Sequence, residues 1–521
     1  MHVFRRALVF ACATALALAF AGTAGAAEYI VVLKHGAERA GLTAIKTSGG
    51  TVVGVNKLGV AYATSGSGTF AGKLRASGKV AGVARNAAWH VDAPLGDSIF
   101  AQFPDVPTQA TGCANQYNPP GGTGVGPDPL SVCQWDMRMI NASPTGSYAV
   151  NRGRGALIGI MDTGVDLTHP DVAPNLNVAL SCSFIRPTTP TSNPAEWETT
   201  GNACLTKSAV QDLNGHGTHV AGEAAAPING VGVAGVAPEA TIVGLKAGTQ
   251  EGFFFTQEVV DAFIYAGDKR LDVVNMSFFA DPFLFNCKNE PEQRVIVQAI
   301  SRAAQYAVQR GVVLVASAGN EATDLDHPTE DEISPDYPPG SEVTREVGNE
   351  CVVLPGELPG VATISAVGPR KLISFYSNYS NSKVDVTAPG GDSLQAPNPF
   401  GRVLNAWSST APFTAGGNPT RTVEDCSTGV CVYYAWIQGT SMAAPHATGV
   451  AALIRARSPD LPPLAVIARL QNTAMPMACS PEAEAQLDPD GRCTGNQNPD
   501  ARGQTNFYGN GLVDALAAAV E

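Results

Sequence analysis

Charge is scarce in this chain: Asp, Glu, Lys and Arg make up only 15% of 521 residues, which excludes a disordered polyelectrolyte or a nucleic-acid coat. The little charge there is leans acidic. A formal net charge of −13 disfavours DNA, RNA and anionic membranes as partners and suits a soluble, self-repelling molecule. Beyond Gly22 no apolar run is long enough to span a bilayer, which takes ~20 residues. Cysteine is absent from Ala27 to Gly112, which marks that stretch as a module of its own. Neither a C-x-x-C pair nor H-E-x-x-H occurs, so the common zinc arrangements are disfavoured. Tandem repeats and coiled-coil heptads are missing too.

What is present begins with an export signal. Arg5 and Arg6 precede the apolar stretch Ala7 to Gly22, and Ala24-Gly25-Ala26 supplies small residues for cleavage. Residues 1–26 therefore read as a signal peptide and the protein as secreted; the alternative, a membrane anchor, suits the short run less well. Of the 11 cysteines, Cys12 lies in that segment, and the even remainder fits disulfides in an oxidising compartment. Their connectivity is open. The sequence-near couples are Cys113/Cys133, Cys182/Cys204, Cys287/Cys351, Cys426/Cys431 and Cys479/Cys493.

Residues 27–92 carry a β-α-β-β-α-β pattern: strands at Tyr29–Leu33, Thr51–Val53, Val60–Tyr62 and Val80–Val83, with helices at Glu38–Thr47 and Phe70–Ser77. That order suggests a small ferredoxin-like α+β unit. Residues 93–132 are rich in Pro and Gly and read as a linker or surface loop, or an N-terminal extension of the mature chain, rather than core. From 133 to 521, near-continuous apolar runs (Ala156–Met161, Thr241–Leu245, Val273–Met276, Val312–Val315, Ala362–Ala366) alternate with helical patterns. Such runs suit a mostly parallel sheet covered on both faces, a doubly wound α/β domain.

Three motifs carry chemistry. Asp162-Thr163-Gly164 ends the first of these strands, where open α/β sheets place their functional crevice; alone it is also an ordinary turn. Asn214-Gly215-His216-Gly217-Thr218-His219 opens a helix. It offers a general base at His216, or a metal pair with His219, three residues on. Gly439-Thr440-Ser441-Met442-Ala443-Ala444-Pro445 leads into an apolar helix. Ser441 there is a simple cap or a nucleophile beside free backbone N–H groups.

Together and in this order, the motifs closely resemble those of the subtilisin-like serine proteases, and the resemblance runs from about Gln134 to Ala518. It implies Asp162, His216 and Ser441 as a catalytic triad, with Asn320 and the Ser441 N–H as oxyanion donors. It also implies a peptide substrate paired along Ser277, Phe278 and Phe279, and a pocket walled by Ser317, Ala318 and Gly319. The first module then resembles an inhibitory propeptide, the chain's own intramolecular inhibitor, removed by self-cleavage from a monomeric enzyme. The chemistry would need no cofactor. Phe279 and Ala280 stand where glycines are usual, so a crowded pocket entrance is expected. Phe279–Gln293 and Ala322–Cys351 are longer than the family minimum. The second holds Asp324, Asp326, Glu330, Asp331, Glu332 and Asp336, read as a solvated acidic loop or a structural calcium site. The rival readings are an inactive peptide-binding relative and a metal-dependent hydrolase on His216 and His219.

Overall fold

The computed structural model describes residues 26–86, 126, 128–201, 204–397, 399–411, 422–426, 431–487 and 491–521. The proposed signal segment up to Gly25, Cys113 and most of the Pro/Gly-rich stretch lie outside the described residues.

The N-terminal module has the expected order: β1 (Ala27–Leu33), α1 (Glu38–Thr47), β2 (Thr51–Val55), β3 (Val60–Ser65), α2 (Phe70–Ala76) and β4 (Val80–Arg85). The strands form an antiparallel sheet ordered β2-β3-β1-β4. The unbroken apolar run of β1 has a simple cause, because both faces of this sheet are covered. Tyr29, Val31 and Leu33 pack on the module's own helices with Ile45, Phe70 and Leu74. Ile30 and Val32, pointing the opposite way, join Val60, Tyr62 and Ala84 in a core shared with the main domain.

The main domain starts with α3 (Trp135–Met139) and β5 (Leu157–Asp162), followed by the short β6 (Cys182–Ser183), α4 (His216–Ala225), β7 (Thr241–Lys246), α5 (Thr256–Lys269) and β8 (Val273–Met276). Next come β9 (Phe285–Cys287), α6 (Pro291–Gln309), β10 (Val313–Ser317), β11 (Glu330–Asp331), β12 (Arg345–Glu346) and β13 (Cys351–Val353). The chain continues through β14 (Val361–Val367), β15 (Val384–Pro389), β16 (Val403–Trp407), β17 (Thr422–Asp425), β18 (Val432–Ile437) and α7 (Thr440–Arg457). Seven strands make one parallel sheet in the order β15-β14-β10-β8-β5-β7-β6. Alternation sorts its side chains into two cores. Ile158 and Ile160 pack with α4 and α7 residues such as Val220 and Val450. Met161, Val243 and Leu245 face α5 and α6 through Phe263 and Ile300. Each such fully buried aliphatic side chain contributes ~2 kcal/mol by leaving water.

The module rests on α5 and α6. Tyr62 donates to Asp261 at 2.9 Å, Arg75 pairs with Glu292 at 2.7 Å, and Arg302 donates to the Leu33 and Leu58 carbonyls at 3.2 and 3.3 Å.

Cys182–Cys204, Cys287–Cys351, Cys426–Cys431 and Cys479–Cys493 are bridged, as the sequence-near pairing anticipates. Cys133 is disulfide-bonded as well. The two insertions meet through Cys287–Cys351 and the β9–β13 ladder, around a satellite core of Leu284, Phe285, Leu325 and Val353. One expectation is corrected. The end of the Pro/Gly-rich stretch is not linker, since Asp128, Leu130 and Ser131 are buried in the main domain.

Candidate active site

Asp162 ends β5, in the interior of the sheet, and its side chain is fully buried. Its Oδ1 lies 2.8 Å from His216 Nδ1. His216 is the first residue of α4, and that helix can come so close because residue 217 is glycine. A Cβ there would lie 2.1 Å from the Gly164 carbonyl and 3.1 Å from Asp162 Oδ1. Asp212 caps the helix: it accepts from the Gly215 and Thr218 N–H groups, both at 2.9 Å, and its charge complements the positive helix end. The Thr163 hydroxyl ties the two motifs together, donating to Asp212 at 3.0 Å and accepting from the Gly217 N–H at 3.0 Å. The His216 side chain is 13% exposed. Burial disfavours its charged form, but the Asp162 charge and hydrogen bond outweigh that and raise its pKa.

Ser441 is the second residue of α7. Its backbone N–H takes no hydrogen bond among the described residues. Its carbonyl would normally accept from residue 445, but Pro445 has no N–H to give. The Ser277 hydroxyl fills that vacancy at 2.7 Å, and the Ser441 hydroxyl donates back to the Ser277 carbonyl at 3.1 Å. The nucleophile candidate is thus bonded to the strand-end residue rather than to His216, a looseness ordinary in an unliganded site.

Asn320 follows β10 and its side chain is exposed. Its Oδ1 accepts from the Thr440 N–H at 2.8 Å and the Thr440 hydroxyl at 2.9 Å. A backbone N–H can only donate, so the amide orientation is fixed and the NH₂ is left over. That Nδ2 and the Ser441 backbone nitrogen are near one another: both lie 3.6 Å from where a Cβ on Gly439 would sit. Asp162, His216, Ser441 and Asn320 are therefore gathered at the carboxyl edge of the parallel sheet, as their sequence positions suggest. A hydroxyl, an imidazole polarised by a carboxylate, and two free N–H donors are the groups that acyl transfer requires.

The other predicted residues fall on two turns beside this point. Phe278 is stacked on Phe254 with ring centroids 4.0 Å apart. The backbone N–H and C=O groups of Phe278 and Phe279 take no hydrogen bond among the described residues, and pairing resumes where the Ala280 N–H donates to the Leu354 carbonyl at 2.8 Å. The Phe279 ring packs on the satellite core of the insertions, while Ala280 is buried in the core shared with α5 and α6. Ser317 and Ala318 are buried, and Gly319 is half-buried.

His219 and His446 lie in the core beneath. His219 places Nδ1 2.5 Å from Glu223 and Nε2 3.0 Å from the Ala435 carbonyl, so it has no nitrogen to share with His216. Burial works against charge on His446, yet hydrogen bonds to Asp136 and Glu223 raise its pKa to about 10.

The carboxyls of the acidic insertion have separate partners. Asp324 pairs with His327, Asp326 caps Asn381 and Ser382, and Asp331 is buried against Arg345. Asp128 and Asp171 lie together at the start of the main domain, where Asp128 accepts from the Asn229 and Gly230 N–H groups and Asp171 from the Val233 N–H, the Tyr434 hydroxyl and the Asn229 amide. Burial pushes both carboxyls up, Asp171 to about 7.

The parallel α/β sheet is the fold of a subtilase, and the family and its serine protease relatives make the chain a serine-type endopeptidase. The chain belongs to the subtilase family, whose profile matches residues 153–511. It is 30% identical to an intracellular serine protease of Paenibacillus polymyxa over 64% of this chain and 78% of that one. It is also 30% identical to a thermophilic serine proteinase of Bacillus sp. (strain AK1), over 59% of this chain and 54% of that one, so it spans about half of that relative's length. Among solved structures, the epidermin leader peptide processing serine protease of Staphylococcus aureus superposes with a TM-score of 0.63 at 20% identity, covering 95% of this chain and 98% of that one; at that identity the likeness is one of fold. No helix among the described residues is long and apolar enough to cross a membrane. Structural calcium is common in the family, whose chemistry needs no cofactor.

Proposed function

We propose that the protein is a secreted, self-processing endopeptidase in which Asp162, His216 and Ser441 form the triad. The carrying observation is the Asp162–His216 bond of 2.8 Å at the sheet edge, with Ser441 in the first turn of α7 bonded to the end of the neighbouring strand β8. Neutral His216 takes the Ser441 proton as the oxygen attacks the peptide carbonyl, and Asp162 holds the imidazole tautomer and offsets the charge that forms. The Asn320 NH₂ and the Ser441 N–H receive the oxyanion. His216 then hands the proton to the leaving amine, and water repeats the cycle on the acyl-enzyme. A donor of the Asn320 kind contributes ~3–4 kcal/mol to the barrier.

The substrate lies extended, pairing with the unoccupied backbone of Phe278 and Phe279 after Ser277, and its side chain enters beside Ser317, Ala318 and Gly319. Residues 27–92 act as the inhibitory propeptide, released after self-cleavage, and residues 1–26 as the export signal of a monomeric enzyme. The fold carries a structural calcium, as is common in the family.

The test is labelling with a fluorophosphonate. Wild-type protein should react at Ser441, while Ser441→Ala should neither react nor process itself; labelling or efficient self-cleavage of that variant would remove Ser441 from its role. For the cation, a chelator should lower the melting temperature of the wild-type protein, and added calcium should restore it. An unmoved melting temperature would remove the ion from the reading.

A further inference from the structure

The turn that carries Asn320, Ala318 to Thr323, has almost no apolar anchor of its own; besides backbone bonds to Ile364, Tyr376 and Tyr379 and one to the Thr440 hydroxyl, its backbone is tied at three points by one buried side chain. Asn378 is fully buried on the segment between β14 and β15. Its Nδ2 donates to the Ala318 carbonyl at 3.0 Å and to Glu321 Oε2 at 2.7 Å. Its Oδ1 accepts from the Glu321 N–H at 3.1 Å and the Thr323 N–H at 2.8 Å. Its own N–H donates to the Gly319 carbonyl at 3.0 Å. All four hydrogen-bonding positions of the amide are filled, and two obligate donors opposite Oδ1 fix which way it points. Gly319 makes the approach possible. It sits at φ +105°, and a Cβ there would lie 2.3 Å from Asn378 Nδ2.

Asn320 is thus gripped from two directions. Thr440 holds the oxygen of its side chain, and Asn378 holds the backbone of both its neighbours. We infer that Asn378 is a positioning residue for the oxyanion donor: it touches no reacting atom, and it sets where the Asn320 NH₂ stands. This deepens the hydrolytic reading above and rests on it. A misplacement of ~1 Å in such a group costs up to ~100-fold in rate.

Asn378→Asp tests this with shape conserved. It replaces two N–H donors with an oxygen facing the Ala318 carbonyl and the Glu321 carboxyl, whose pKa burial already raises to about 7. On a chromogenic peptide, kcat at pH 8 should fall at least ~10-fold while KM stays within about twofold, because the donor acts on the transition state rather than on bound substrate. The deficit relative to wild type should shrink as pH falls, since a proton shared by the two carboxyls restores a donor. Adding Glu321→Gln should recover part of kcat, because its amide can donate to the introduced carboxylate. A kcat within twofold of wild type, a loss carried by KM, or no recovery in the double variant would overturn the inference. If Asn378→Asp does not fold, Asn378→Ser is read by the same split between kcat and KM. A wild-type protein inert to both peptide and fluorophosphonate would instead overturn the hydrolytic reading itself.

Discussion

The turns that leave the adjacent strands β8 and β10 are held in opposite ways. After β8, Phe278 and Phe279 are fixed through their rings, one stacked on Phe254 and the other set into the insertion core, while their backbone groups stay unpaired. After β10, the backbone of Ala318 to Thr323 is bonded to Asn378, and the side chain that matters, Asn320, keeps its NH₂ free. The difference follows from what each turn presents. A docking edge needs vacant N–H and C=O groups and so must be anchored by side chains. A donor aimed at a developing charge needs an immobile backbone, and polar bonds give it one.

The largest expected effect comes from removing the presented group on the β10 side. Asn320→Ala should lower kcat by ~10²–10³ with KM nearly unchanged; a loss confined to KM would make that turn a docking surface too and dissolve the contrast. On the β8 side, Phe278→Ala should destabilise the fold by ~3 kcal/mol in denaturant titration, since the ring is buried and stacked. Unchanged stability would show that something other than the ring anchors the edge. The smallest effect concerns His216, which both turns flank. Its raised pKa means that kcat/KM should fall as pH drops through a value above the ordinary 6.5 of imidazole, because only the neutral ring accepts the Ser441 proton. A limb at or below that value in the pH–rate profile would mean that Asp162 does not govern the ring.

Much of this was legible in the sequence. Helix α1 spans the predicted Glu38–Thr47, and the five apolar runs became β5, β7, β8, β10 and β14, because a strand buried on both faces leaves an apolar run. The edge strand β15, with a polar residue (Asp385) in its run, and the antiparallel β16–β18 unit gave no comparable signal. The gathering of Asp162, His216, Ser441 and Asn320 was legible because each ends a strand or opens a helix at one edge. Asp212, Thr440 and Asn378 were not. They act through hydrogen bonds to backbone far along the chain, and a single Asp, Thr or Asn looks the same whether it caps a remote turn or meets water. Asp212, three residues before Gly215, could have been suspected as a helix cap. The packing of the Phe279 ring was not legible for a related reason: the core it rests on is built from two insertions whose meeting only the fold discloses.

The place of β5 in the sheet has a further consequence. It is hydrogen-bonded on one side to β7 and on the other to β8, so its amides should exchange with solvent only when the whole domain unfolds. Local openings of the surrounding turns should therefore leave Asp162 in place, and the carboxylate that holds His216 should be lost only in the global transition.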